Sequence, residues 1–169
     1  MMGCGKSTIG RQIAERLFWR FVDLDEAIED HTGKRIAHIF EDEGEQAFRE
    51  LEREQLQLTA ADDRPAIIAT GGGTPVFSDN MDWMNAHGLS IYLRTPPAVL
   101  AERLFTERYQ RPLLARINSP EELVERLDKL IFRRRRFYEQ AQVIYEQRTG
   151  TEPVAEEIAA YVLRITGTG

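Results

Sequence analysis

The first ten residues, MMGCGKSTIG (1–10), contain Gly5-Lys6-Ser7-Thr8. This is the closing half of a phosphate-binding loop, G-x-x-x-x-G-K-[ST]. Glycines in such a loop let backbone N–H groups turn onto phosphate oxygens, and the helix that follows presents its positive end to them. The lysine adds a point charge, and the hydroxyl can ligate Mg2+. Ile9, Ile13 and Leu17 recur at every fourth position, which predicts a helix with one buried face directly after the loop. Gly3, Cys4, Gly5, Lys6, Ser7 and Thr8 are therefore candidates for holding nucleotide phosphates. Counting back from Gly5, the opening glycine of the pattern falls just before Met1, as does the strand that normally leads into it. The expectation is a protein start about ten residues upstream, with Met1 or Met2 internal.

Downstream, short apolar runs alternate with helical patterns. Strands are predicted at 20–25 (RFVDLD), 66–70 (AIIAT), 89–94 (LSIYLR) and 143–147 (VIYEQ). The helical stretches between them include one ending at Gly33 and two more over 36–60, broken near Gly44. Ser78 is placed as a helix cap, and Thr95-Pro96 as a cap with proline at the first helical position. Ser119-Pro120-Glu121-Glu122 reads as a capping box opening a helix to about residue 141, and a last helix spans 153–165. The arginine-rich segment 106–118 lacks periodicity and reads as a mobile loop. Alternating strands and helices imply an α/β fold whose parallel sheet is covered on both faces.

The 169 residues suit one domain. A hydrophobic share of 42% with 30% charged residues fits a globular chain. A net charge of −6 argues against general nucleic-acid binding, and the run RRRR (133–136) reads first as a charged helical stretch. The single cysteine excludes an intrachain disulfide, and no apolar run approaches the roughly 20 residues needed to cross a bilayer.

Asp23 and Asp25 are two apart in a predicted strand, so both would face one side, toward the ligand end of a parallel sheet. One could hold Mg2+ and the other take a proton from an attacking hydroxyl; the plainer reading is a polar strand end with Asp25 capping a helix. Gly71-Gly72-Gly73 directly follows a buried strand and permits close approach of a ligand to backbone. Arg49, Arg111 and Arg134 lie in separate segments; each is a fork for a carboxylate or phosphate only if a shared site gathers them.

Together, MGCGKSTIGRQIA, FVDLDEAIEDHTGKRIAHIFEDEGEQAFRELE, ATGGGT, YLRT, RPLL and RRRRFYEQA resemble, in order, the shikimate kinase family. The resemblance implies a P-loop kinase fold with strand order 2-3-1-4-5, of which this chain lacks the first, central strand. It implies a single domain over 1–169, with substrate-binding helices at about 33–61 and a lid at about 106–118. It implies transfer of the ATP γ-phosphate to the 3-hydroxyl of shikimate, with Mg2+, in a cytoplasmic enzyme that works as a monomer without nucleic acid or membrane. Carried onto this sequence, Lys6 contacts phosphates, and Ser7 with Asp23 serves Mg2+. Asp25 is the base and holds shikimate hydroxyls. Arg49 and Arg134 grip the shikimate carboxylate, and Glu52, three residues after Arg49, orients it. Gly71, Gly72 and Gly73 approach the substrate, and Phe40 and Phe48 line its pocket. Arg111 closes with the lid, and Arg103 is assigned to the nucleotide in place of an arginine that the family often has at the position of Leu104. Competing readings are another small-molecule kinase such as a gluconate kinase, which would not need the Arg49–Arg134 pair, and a non-catalytic binding module, which would not need all of Lys6, Asp25, Arg49, Arg111 and Arg134.

Overall fold

The computed structural model describes residues 1–106, 114, 117–147 and 153–167. The chain forms two compact units. The first unit is Gly5–Asn80 with Pro153–Gly169, and the second is Met1–Cys4 with Met81–Glu152.

In the first unit, α1 (Lys6–Leu17) starts at Gly5, whose φ of 82° lies in the left-handed region that glycine enters freely. Strands β1 (Arg20–Asp23) and β2 (Ala66–Ala69) pair in parallel, with Arg20 opposite Ala66 and Asp23 opposite Ala69. Helix α1 packs on both strands and on α8 (Val154–Thr166). Closest approach is at Gly10, where a Cβ would sit 2.7 Å from the Phe21 ring and 3.4 Å from Ile67. Ile13, Ala14 and Leu17 of α1 are buried, as are Ala155, Ile158, Ala159 and Val162 of α8 at complementary helical spacing. Each fully buried leucine or isoleucine contributes about 1.5–3 kcal/mol.

The expected strand over 20–25 ends early. Asp23 is the last strand residue and caps α2 (Leu24–Thr32), its carboxylate accepting from the Asp25 N–H at 3.1 Å. Asp25 therefore stands in the first turn of a helix, not on the strand, and Asp23 rather than Asp25 is the cap. The cause is local: an aspartate hydrogen-bonding two residues on turns the chain out of extended geometry. Helix α2 stops at Gly33, and α3 (Ile36–Asp42) and α4 (Gly44–Ala60) part at Gly44, as the pattern predicts. Along α4, Phe48, Glu52, Leu56 and Thr59 form one buried face in which Glu52 is the ionisable exception. A 3-10 turn, Thr74–Val76, follows β2 and contacts α4. Ser78 does not cap the next helix: it takes a φ of 52° and accepts the Arg53 guanidinium on its hydroxyl at 3.1 Å, while α5 runs Asn80–His87.

In the second unit, β3 (Ile91–Arg94) and β4 (Val143–Glu146) also pair in parallel, Ile91 opposite Val143. Each sheet pairs two strands that are consecutive in the chain. Helix α6 (Pro97–Thr106) packs against α7 (Pro120–Tyr138) around Leu100, Leu104, Leu123 and Leu127. Pro97, not Pro96, opens α6, because the Thr95 hydroxyl is taken up by buried Gln147 at 2.5 Å and the Pro96 carbonyl accepts the first helical bond from Leu100. Ser119 caps α7 by accepting from the Glu122 N–H at 3.1 Å. The run 133–136 is helical, with Arg134 half-buried and its three neighbours exposed. Most of the expected lid, including Arg111, lies outside the described residues.

Gly10→Val forces two branched methyl groups against Phe21 and Ile67. Overpacking of this kind costs about 1–3 kcal/mol. The expected result is a thermal midpoint lower by roughly 2–4 °C for each kcal/mol lost. An unchanged midpoint would show that α1 does not seat on the strands through Gly10.

Candidate active site

No side chain caps the start of α1, so its first N–H groups and the positive helix end are left for an anion. Lys6 is the first helical residue, half-buried, and among the described residues no ion pair engages it. Ser7 donates its hydroxyl to Asp23 Oδ2 at 2.5 Å, while Asp23 Oδ1 takes the Asp25 N–H. The strand end and the helix start are thus joined through one carboxylate. Thr8 is exposed.

Asp25 is half-buried. Burial raises its carboxyl pKa above 3.8; the Lys6 ammonium pulls it down, the Asp23 and Glu52 carboxylates push it up, and the Arg49 guanidinium pulls it down. A single ionisable group therefore feels both the phosphate-loop lysine and the α4 arginine. That placement unites the two halves of the candidate site.

Arg49 on α4 is held by its own helix: Nη1 donates to Glu52 Oε2 at 2.8 Å, and Nη2 pairs with Glu45 at 3.3 Å. Glu52 has no exposed surface, and its other oxygen accepts the Thr74 hydroxyl at 2.5 Å. The glycines after β2 explain how this is possible. A Cβ on Gly71 would overlap Glu52 Oε1, and a Cβ on Gly73 would overlap the Arg49 guanidinium. The close approach anticipated at these glycines is thus made by the protein's own charged side chains. Gly72, half-buried, lies between them. Phe48 is buried, its ring 4.6 Å from that of Phe40, which is 38% exposed; Arg49 lies 5.2 Å from the Phe48 centroid.

The first unit therefore gathers Lys6, Ser7, Asp23, Asp25, Arg49, Glu52, Gly71 and Gly73. Gly3, Cys4, Arg103 and Arg134 belong to the second unit. There the Gly3 carbonyl accepts from Arg103 Nη1 at 3.2 Å, and the Cys4 side chain is buried in one cluster with Leu100 and Leu104. Sequence reading missed Thr74 and Asn80, whose side-chain amide donates to the Thr74 carbonyl at 3.0 Å. Nothing in their spacing marks them: Thr74 meets Glu52 across 22 residues, and Asn80 reaches back to a backbone carbonyl.

The family model for shikimate kinase matches residues 2–166. The chain belongs to the shikimate kinase family. It is 41% identical over 145 residues to the shikimate kinase of Phocaeicola vulgatus, covering 86% of this chain and 82% of that one. The crystal structure of the Bacteroides thetaiotaomicron shikimate kinase superposes with a TM-score of 0.86 at 35% identity, covering 98% of this chain and 94% of that one. The Acinetobacter baumannii shikimate kinase, solved in complex with shikimate, gives a TM-score of 0.80 at 33% identity, covering 99% and 89%. As a member, the chain is an ATP-dependent, Mg2+-using phosphotransferase of P-loop kinase fold.

The residues present fit those ligands. Ser7 and Asp23 offer hard oxygen donors at the helix start. Among the described residues no group of three His, Cys, Asp or Glu could hold a metal alone. A Mg2+ ion at this point would complete its shell from phosphate and water, the usual manner for this cation.

Because burial raises the Asp25 pKa, its ionised form is disfavoured in the folded state. Below the unfolded value the group is neutral in both states and costs nothing; above the folded value the full penalty is present. Asp25→Asn should therefore melt higher than the parent at neutral pH, and the difference should close as pH falls below 3.8. Equal melting at every pH would contradict the raised pKa.

Proposed function

We propose that this chain transfers the γ-phosphate of ATP to the 3-hydroxyl of shikimate, giving shikimate 3-phosphate and ADP on the way to chorismate and the aromatic amino acids. The observation that carries this reading is Asp25, under the joint influence of Lys6 and Arg49. A base set between a phosphate-binding cation and a carboxylate-binding cation suits an acceptor that carries both a hydroxyl and a carboxylate.

The roles follow from the chemistry. Arg49, oriented by Glu52, takes the substrate carboxylate with its remaining N–H donors, together with Arg134. Asp25 holds the substrate hydroxyls and accepts the proton of the 3-hydroxyl as that oxygen bonds to the γ-phosphorus. The bond to the ADP oxygen breaks, and Lys6 and the backbone amides of Gly3, Cys4, Gly5, Ser7 and Thr8 hold the phosphate charge. Ser7, with Asp23 nearby, would hold a Mg2+ ion, which would supply positive charge to the phosphates. Gly71, Gly72 and Gly73 lie against the substrate, with Phe40 and Phe48 flanking it. Arg103 reaches the nucleotide, and Arg111 closes with a lid at about 106–118 to exclude water. The chain acts as one kinase domain over 1–169 with substrate-binding helices at about 33–61, as a cytoplasmic monomer. Among the described residues no helix is long and apolar enough to cross a membrane.

The test is ADP release with shikimate as acceptor and gluconate as control. Release should require shikimate and Mg2+; equal release with gluconate would overturn the assignment. Asp25→Asn should lower kcat by about 10²–10⁴ through loss of the base. The acid limb of the parent's kcat/KM should fall at a pH above the ordinary aspartate value, since the raised pKa keeps Asp25 protonated there.

A further inference from the structure

The carboxylate of Glu52 has no exposed surface, and it holds Arg49 Nη1 at 2.8 Å. A buried ionised carboxylate is tolerated only when both its oxygens are paired or hydrogen-bonded. One oxygen has Arg49. The other has only one donor among the described residues, the Thr74 hydroxyl at 2.5 Å. Thr74 is itself fully buried, and its position is set by its backbone rather than by its side chain. Its N–H donates to the Gly71 carbonyl at 3.3 Å. Its carbonyl accepts from Asn80 Nδ2 at 3.0 Å and from the Phe77 N–H at 3.3 Å. The hydroxyl thus projects from an anchored backbone. Gly71 lies over this bond with no side chain to interrupt it, and Gly73 lies against the guanidinium it steadies.

We propose that Thr74 is a positioning residue for recognition of the substrate's carboxylate, acting through the chain Thr74–Glu52–Arg49. It touches no reacting atom. Its hydroxyl holds the Glu52 carboxylate in one rotamer, and Glu52 in turn keeps the Arg49 fork aimed. The proposal rests on the reading that Arg49 binds the carboxylate of shikimate.

Thr74→Val keeps the volume and removes the donor, leaving a buried carboxylate oxygen unsatisfied. The expected result is a KM for shikimate raised by about tenfold or more, with KM for ATP and kcat changed by less than about threefold. Thr74→Ser restores the hydroxyl and should return the shikimate KM to near the parent value. A role in folding alone would lower the melting temperature without separating the two KM values.

Arg49→Lys separates the two readings. If it leaves the shikimate KM unchanged, the carboxylate reading of Arg49 fails, and the positioning role of Thr74 fails with it. If Arg49→Lys raises that KM while a folded Thr74→Val does not, only the Thr74 inference is overturned. It is also overturned if Thr74→Ser is as impaired as Thr74→Val. Combining Thr74→Val with Arg49→Lys should add little to Arg49→Lys alone, because both act through one guanidinium; full additivity would contradict the chain. Should Thr74→Val not melt cooperatively, Thr74→Cys, with a weaker donor of similar size, is judged by the same KM split.

Discussion

A carboxylate placed where no water reaches it, Glu52, constrains everything built around the substrate side of this site. Its burial is tolerable because Arg49 and Thr74 satisfy its two oxygens. Those partners come from different parts of the chain: Arg49 from the same helix and Thr74 from the turn after β2. Satisfying one carboxylate therefore locks α4 to the loop that follows the strand. The locking leaves no room for side chains at residues 71 and 73, and so dictates glycine at both. The glycine run serves this polar pair as much as any ligand.

The phosphate side is organised by a second carboxylate with a different task. Asp23 ends β1, caps α2 and takes the Ser7 hydroxyl, so one side chain ties the strand end to the starts of two helices. This pins Ser7 and places Asp25 one residue into α2. There Asp25 is half-buried and its ionised form is disfavoured, a local cost in stability of the kind that catalytic groups carry. Lys6 and Arg49 offset part of that cost, and both are cations suited to the anions of the reaction.

Much of the fold was legible because helices and strands differ in period. The four-residue recurrence in α1, the stops at Gly33 and Gly44, the Ser119 capping box and the apolar runs of β2 and β4 all appear where they were expected. The errors cluster where a short polar side chain had a choice of partners. Asp23 turned the chain one residue after the strand, the Thr95 hydroxyl went to Gln147 instead of a helix start, and Ser78 went to Arg53. At Thr95 and Ser78 a hydrogen bond to a remote segment displaced the local one that sequence suggests, whereas at Asp23 a local bond to the Asp25 N–H ended the strand early. Arg49 and Glu52 were readable as a pair because they are three apart on a helix. Thr74 was not, because 22 residues separate it from Glu52.

By itself the sequence determined the class of chemistry: a loop and helix for phosphate, acidic residues at a strand end, arginines for an anionic acceptor, and the family to which these belong. Residue type and short spacing are enough for that, since they are covalent facts. The tertiary structure alone decided which of these groups act on one another. It set Asp25 in the fields of both Lys6 and Arg49, buried Glu52, brought Thr74 beneath Gly71 and raised the Asp25 pKa above its ordinary value. Burial and distance between remote segments control the strength of a charge and the direction of a fork, and neither is written in the order of residues along the chain.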